Sequence, residues 1–315
     1  MPSRVEKLAK DIKALKIQGA RNIAKAAVLG LNYAVEDSKA KSVEGIKADI
    51  VKAVFALSAA RPTEPMLRNY LGKSIAFAAV EAARLGPKET ARFRKLVAEK
   101  NLQIVREMDA DLERLKKHGA ALLADGMNIV THCHSSTVTG VIISAHRQGK
   151  RIKVFACETR PRFQGRITAA ELAKAGVDVT LSVDMGVDKH LRKADIVLVG
   201  ADAITATGDL INKVGTSALA HLARMHEVSF FSCAETYKYD PLTKYGVREK
   251  IEERGKEEVW EKPPRGVKIS NPAFDATAAR YINGYITEVG IVPPSAIAEA
   301  AINRMKGRDH AKQQE

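Results

Sequence analysis

The spacing of apolar residues changes once along this chain, and that change limits the folds open to it. From Glu6 to about Lys117 they recur at steps of three and four, as at Ile50, Ala53, Val54 and Leu57 and again at Leu71, Ile75, Ala78 and Ala79. Such spacing lays one apolar stripe along a helix. The pattern breaks at "IQGARN" and "SAARPTEPM", where Gly19, Pro62 and Pro65 punctuate it. After "KHGAALLADG" the period shortens, and the β-rich runs "MNIVTHC", "RIKVFACET", "DVTLSVD", "ADIVLVGAD" and "VSFFSCAE" alternate with helical stretches. Strands separated by connections long enough for a helix predict βαβ units and a mainly parallel sheet. The fold class expected is therefore α/β. A helical N-terminal domain (1–118) precedes a Rossmann-like, doubly wound domain (119–315), in which runs such as "DIVLVGA" are buried on both faces.

A chain of 315 residues, 45% of them hydrophobic, is long enough for two packed cores. No apolar run approaches the roughly 18 residues of a membrane span. The opening "MPSRVEKLAKDIKALK" lacks the apolar centre of a signal peptide, so a cytoplasmic protein with no membrane partner is expected. A net charge of +14 calls for anionic company. Basic residues are scattered and alternate with acids, as in "KYGVREKIEERGKEE", and aromatic residues make up only 5% of the chain. Without a basic stripe or stacking platform nucleic acid is a poor partner, and a phosphorylated small molecule fits better. Cys133, Cys157 and Cys233 form no CxxC pair, which argues against a disulfide framework or zinc ribbon; Cys157 and Cys233 read as core thiols. No GxGxxG follows the first strand, so a dinucleotide has no support.

Ligands of open parallel sheets bind beyond the carboxyl ends of the strands. The polar punctuation collects there: "HCHSS", "CETRPRFQG", "VDMG", "GADAITATGD" and "CAETYK". "HCH" suggests a metal, but side chains alternate on a strand, so His132 and His134 would not both join Cys133, and no metal is expected. Ser135, Ser136 and Thr137 offer hydroxyls and amides at a helix start, suited to a phosphate or to ordinary capping. Asn212 and Lys213 precede a helix expected to begin near Gly215, whose amino end favours an anion. Arg160 and Lys238 end two strands, where a phosphate contact competes with a structural ion pair.

"ETRPRFQG", "GADAITATGDLINKVGT" and "NPAFDATAARYINGYITEVGIVPP", in this order and spacing, resemble the initiation-factor-2B-like family over nearly the whole chain. That family joins translation-factor regulatory subunits with two sugar-phosphate isomerases, acting on methylthioribose 1-phosphate and on ribose 1,5-bisphosphate. The resemblance implies catalytic roles for Cys133 and Asp202, which match the isomerases' paired cysteine and aspartate. It also implies substrate contacts from Arg21 and Arg61 in the "GARN" and "ARPTEP" loops. These loops and the compact length look most like the archaeal ribose-bisphosphate branch, and no "RGAPAIG"-like segment of the methylthioribose branch is present.

The activity so implied is conversion of α-D-ribose 1,5-bisphosphate to D-ribulose 1,5-bisphosphate in archaeal AMP degradation. It needs no cofactor, and a homo-oligomer built from dimers, with a hexamer as one outcome, is expected. A phosphate on C1 blocks ring opening through a free anomeric hydroxyl. Asp202 would instead protonate the ring oxygen while Cys133 moves a proton from C2 to C1. Only about one Asp in a thousand is protonated at pH 7 at its reference pKa, so burial is expected to raise Asp202. A regulatory subunit that merely binds a sugar phosphate or nucleotide, and a methylthioribose 1-phosphate isomerase, are the alternatives.

Overall fold

The computed structural model describes residues 3–307, so the expected outer bounds at 1 and 315 lie outside the described residues. The chain forms two compact units, one up to Asp111 and one from Leu112 onward. In the first, four helices α1 (Ser3–Lys13), α2 (Ala20–Asp37), α3 (Val43–Ala60) and α4 (Pro65–Arg84) precede the long α5 (Thr90–Leu122). Their stripes meet in one core containing Ile23, Leu31, Ile46, Ile50, Leu57, Leu71 and Phe93. Ser42 caps α3 by accepting from the Gly45 amide, and Pro65 opens α4, where a missing N–H costs nothing. The division between units falls inside α5, upstream of the expected 118/119, because one continuous helix serves both cores.

The second unit carries β1 (Asn128–Thr131), α6 (Ser136–Arg147), β2 (Lys153–Cys157), α7 (Gln164–Lys174), β3 (Asp178–Ser182), α8 (Val187–Leu191) and β4 (Ile196–Val199). It continues with β5 (Ala203–Ile204), β6 (Leu210–Lys213), α9 (Thr216–Met225), β7 (Ser229–Cys233), β8 (Phe274–Thr277), β9 (Gly284–Thr287), β10 (Gly290–Val292) and α10 (Ile297–Met305). Seven strands form one sheet in the order β10-β9-β7-β4-β1-β2-β3, parallel except for β10. Alternate residues feed opposite faces. Val130, Val197 and Val199 join one core, whereas Ile129, Ile196 and Leu198 join the other. All of β4 is buried, as expected for a strand covered on both sides.

From β1 the chain winds one way to β2 and β3, and from β4 the other way to β7 and β9. The switch therefore lies between β1 and β4, and the crevice beyond their carboxyl ends is where a doubly wound sheet accepts a ligand. A smaller antiparallel sheet, β5-β6-β8, grows from the end of β4. Among the described residues no helix is long and apolar enough to cross a membrane.

Close packing at the end of β2 depends on Gly165, since a Cβ there would sit 1.7 Å from the Cys157 carbonyl oxygen. We expect Gly165→Ala to lower stability by about 3 kcal/mol, at the upper end of overpacking costs. Urea denaturation against wild type checks this, and equal midpoints would mean that the start of α7 shifts freely.

Candidate functional site

β1 ends at Thr131, two residues before Cys133, whose φ of 67° places it in the left-handed region. The separation of His132 from His134 therefore comes from a backbone reversal and not from strand alternation. Three strand ends hold this turn. The Cys133 amide donates to Thr159 Oγ1 at 2.8 Å, and the Thr168 hydroxyl donates to the Cys133 carbonyl at 2.9 Å. Thr159, itself at φ 64°, donates its amide to Asp184 Oδ1, and Arg160 donates its own to Asp184 Oδ2, both at 2.7 Å. Because the Thr168 proton is committed to Cys133, His134 Nδ1 at 3.1 Å must be the donor to Thr168 Oγ1.

His132 donates from Nε2 to the Val214 carbonyl at 2.8 Å, and burial holds its imidazole below the usual range, hence neutral. Its ring lies 3.1 Å from where a Cβ on Gly215 would stand, so the end of β1 and the start of α9 touch. His132, Cys157 and Asp184 bring ligand-type atoms within 4.8 Å of one another. Both Asp184 oxygens accept amides, His132 Nε2 is committed, and burial pushes the Cys157 thiol up to about 12. That chemistry suits a protonated, hydrogen-bonded buttress better than a metal site, which needs a thiolate.

Cys133 itself is half-buried. Burial pushes its thiol up to about 11, against the opposing pull of the Lys213 charge and the His134 amide. The charges of Asp202 and Arg254 act on the same sulfur, the first raising and the second lowering its pKa. Asp202 follows β4, half-buried, with its amide on the Ile211 carbonyl at 2.9 Å. Beside it the buried Lys238 ammonium donates to the Ala201 carbonyl at 2.7 Å. The two residues expected to move protons thus stand at the ends of the two switch-point strands and feel each other's charge.

Ser135 is the N-cap of α6, accepting from the Val138 amide, and Ser136 and Thr137 form its first turn. Gly200 lets β4 approach closely, since a Cβ there would lie 2.9 Å from Ser135 Cβ and Oγ and 3.9 Å from Asn212 Oδ1. Asn212 and Lys213 are buried at the end of β6. The Asn212 amide donates to Thr216 Oγ1 at 3.0 Å, and the Lys213 ammonium stands 5.0 Å from the centre of the Phe274 ring. Burial pushes Lys213 below the usual lysine range, and among the described residues it has no carboxylate in ion-pair contact. α9 does begin beside Gly215, and its amino end meets an acid of the same chain. Asp275 accepts from the Gly215 amide at 2.7 Å and the Ser217 amide at 3.1 Å, so two amides at the expected anion-favouring helix end have a partner within the chain.

Arg160 is exposed and donates to the Val259 carbonyl at 3.1 Å, pinning the irregular segment after Gly246, with Arg162 adding an ion pair to Glu258. Arg21 and Arg61 belong to the first unit, buried there against Asp109 and Glu64. Arg254, from the mixed-charge run, escaped sequence reasoning, as did Thr159, Asp184 and Asp275.

The Initiation factor 2 subunit family matches residues 16–294. Ribose 1,5-bisphosphate isomerase of Methanocaldococcus jannaschii is 43% identical over 90% of this chain and 89% of its own. 5-deoxyribose 1-phosphate isomerase of Moorella thermoacetica is 39% identical over 93% and 87%. The solved structure of translation initiation factor eIF-2B from Pyrococcus horikoshii superposes with a TM-score of 0.79 at 30% identity, over 93% of this chain and 98% of that one.

Burial raises the Asp275 pKa above its ordinary value despite the two amides. A raised folded-state pKa means that the folded chain keeps this proton longer, so its contribution to stability falls as pH rises through and above the ordinary carboxylate value. Urea midpoints from pH 4 to 7 should show wild type losing ground to Asp275→Asn with rising pH. A widening wild-type advantage would instead mean that the amides hold the carboxylate more strongly than burial disfavours it.

Proposed function

This chain belongs to the initiation factor 2 subunit family, and on that premise we propose that it is an isomerase converting α-D-ribose 1,5-bisphosphate to D-ribulose 1,5-bisphosphate. One observation carries the proposal: Cys133 and Asp202 end the two strands that flank the topological switch, each within reach of the other's charge. A purely regulatory subunit has no use for a thiol and a carboxyl facing one crevice.

The chemistry balances on these two groups. The Cys133 thiolate takes the C2 proton, the C–H electrons form a C1=C2 double bond, and the C1–ring oxygen bond breaks as Asp202 protonates the departing oxygen. The enol then loses its C2 hydroxyl proton to the Asp202 carboxylate, and the Cys133 thiol returns its proton to C1. Both groups end as they began, and both phosphates stay in place. The substrate's own anions assist, because nearby negative charge favours the protonated form of a carboxyl. Lys213 and Lys238, with the first-turn amides of α6 after Ser135, supply charge and donors for the phosphates.

The same reading sets the enzyme in the cytoplasm, in archaeal AMP breakdown, as an assembly of dimers. The eIF-2B likeness supports a second reading, a translation-factor subunit that binds such a ligand without turnover. A panel of ribose 1,5-bisphosphate, 5-deoxyribose 1-phosphate and methylthioribose 1-phosphate with product identification separates these. We expect turnover of the bisphosphate, and binding without turnover of any sugar would favour the subunit.

Cys133→Ser and Asp202→Asn should each lower turnover by about 10² to 10⁴-fold, the usual worth of a general acid or base, while sugar-phosphate binding persists. In heavy water, deuterium should enter C1 of the product. Quantitative transfer of a C2 label to C1, with no solvent label at any pH, would replace Cys133 as base by a hydride shift.

A further inference from the structure

The segment Glu252–Arg254 runs antiparallel to the entry of β8. Ala273 donates to the Glu252 carbonyl at 2.7 Å, Arg254 donates to the Asn271 carbonyl at 2.9 Å, and Glu253 bridges Pro272. One register step further, Phe274 pairs with Lys213 of β6. The small sheet thus carries Arg254 and Lys213 toward the same crevice. The Arg254 side chain is only 11% exposed, and its Nε is buried without a hydrogen bond. Its one ion pair among the described residues is a long one, 3.5 Å from Nε to Glu252 Oε1. The charge of Arg254 is felt by both Cys133 and Lys213, and it adds to the burial that depresses the latter.

The Asp202 and Glu258 charges offset part of the repulsion between the buried Lys213 and the half-buried Arg254, and an anion lying between the two cations would relieve the rest. Arginine presents a fork of donors suited to phosphate, and an under-used guanidinium aimed at a site with a second cation has that capacity to spare. Cys133 works at C2, and C1 with its phosphate is one bond away. We propose that Arg254 joins Lys213 in a subsite beside Cys133 that binds the phosphate on C1 of the sugar. The assignment rests on the isomerase reading for the identity of the ligand, and the binding test below does not depend on turnover.

The test uses the full chain and follows alkylation of Cys133 by iodoacetamide, with the labelled peptide identified by mass. Cys157 and Cys233 are buried and serve as internal controls. Ribose 1-phosphate and ribose 5-phosphate are the protecting ligands. In Arg254→Gln, protection by ribose 1-phosphate should weaken about ten- to a hundredfold, the loss of a charge-assisted bond. The alkylation profile should also move to higher pH, because one cation lowering the thiol is gone. Arg254→Lys should restore the pH profile in part, which a merely structural role for the guanidinium would not allow. Unchanged protection and pH profile in Arg254→Gln, at an unchanged melting temperature, would overturn the subsite. A penalty confined to ribose 5-phosphate would overturn the C1 assignment. Should the protein turn over none of the sugars yet show these shifts, the isomerase reading falls and the subsite stands.

Discussion

A left-handed cysteine at the end of a buried strand is the constraint on which the site depends. A non-glycine residue in that region costs about 1 to 2 kcal/mol and persists only when its surroundings hold it. Here the support runs sideways across the edge of the sheet. Asp184, following β3, accepts the amides of Thr159 and Arg160, which follow β2, and Thr159 accepts the amide of Cys133, which follows β1. Thr168 of α7 closes the frame through the Cys133 carbonyl. Each step spans neighbouring parallel strands, so the sheet's register sets where the sulfur stands.

That position has an electrostatic consequence. A thiol at about 11 leaves about one molecule in ten thousand as thiolate at pH 7. The nearby cations reduce the deficit without abolishing it, and phosphate dianions beside the sulfur would deepen it. Were a phosphate bound there as proposed, Lys213 and Arg254 would first neutralise it, and only the remaining charge would support the thiolate. Burial strengthens both effects, since a low local dielectric amplifies whatever charge it surrounds.

Long-range architecture was legible because it is written in periods. The stripe of Ile50, Ala53 and Leu57 and the unbroken run Ile196–Val199 left no other place for their side chains than a helix-bundle core and a twice-covered strand. Cys133 and Asp202 were singled out by their likeness to the family's paired cysteine and aspartate, and they follow β1 and β4, the two strands at the switch. Arg254 was hidden in "VREKIEERGKEE", where alternating charges look like a solvated face, because burial of one residue in an irregular segment leaves no periodic trace. Asp275 sat in plain view within "NPAFDAT", yet its partner amides lie 58 and 60 residues earlier, a distance that local spacing does not reveal.

Asp275 also decides between two helix starts that look equivalent in sequence. α9 opens with Gly215 and Thr216, α6 with Ser135 and Ser136, and both follow the ends of strands near the crevice. At α9 the dipole and amides meet an acid of the same chain, which already accepts the amides of Gly215 and Ser217. At α6 the cap is a neutral hydroxyl that occupies one amide, that of Val138, and the first-turn amides of Ser136 and Thr137 have no partner within the helix. The positive end of a dipole thus meets an internal acid at one helix and a neutral cap at the other. Since Gly200 holds the end of β4 against Ser135, that remaining helix start lies directly beside the strand that delivers Asp202.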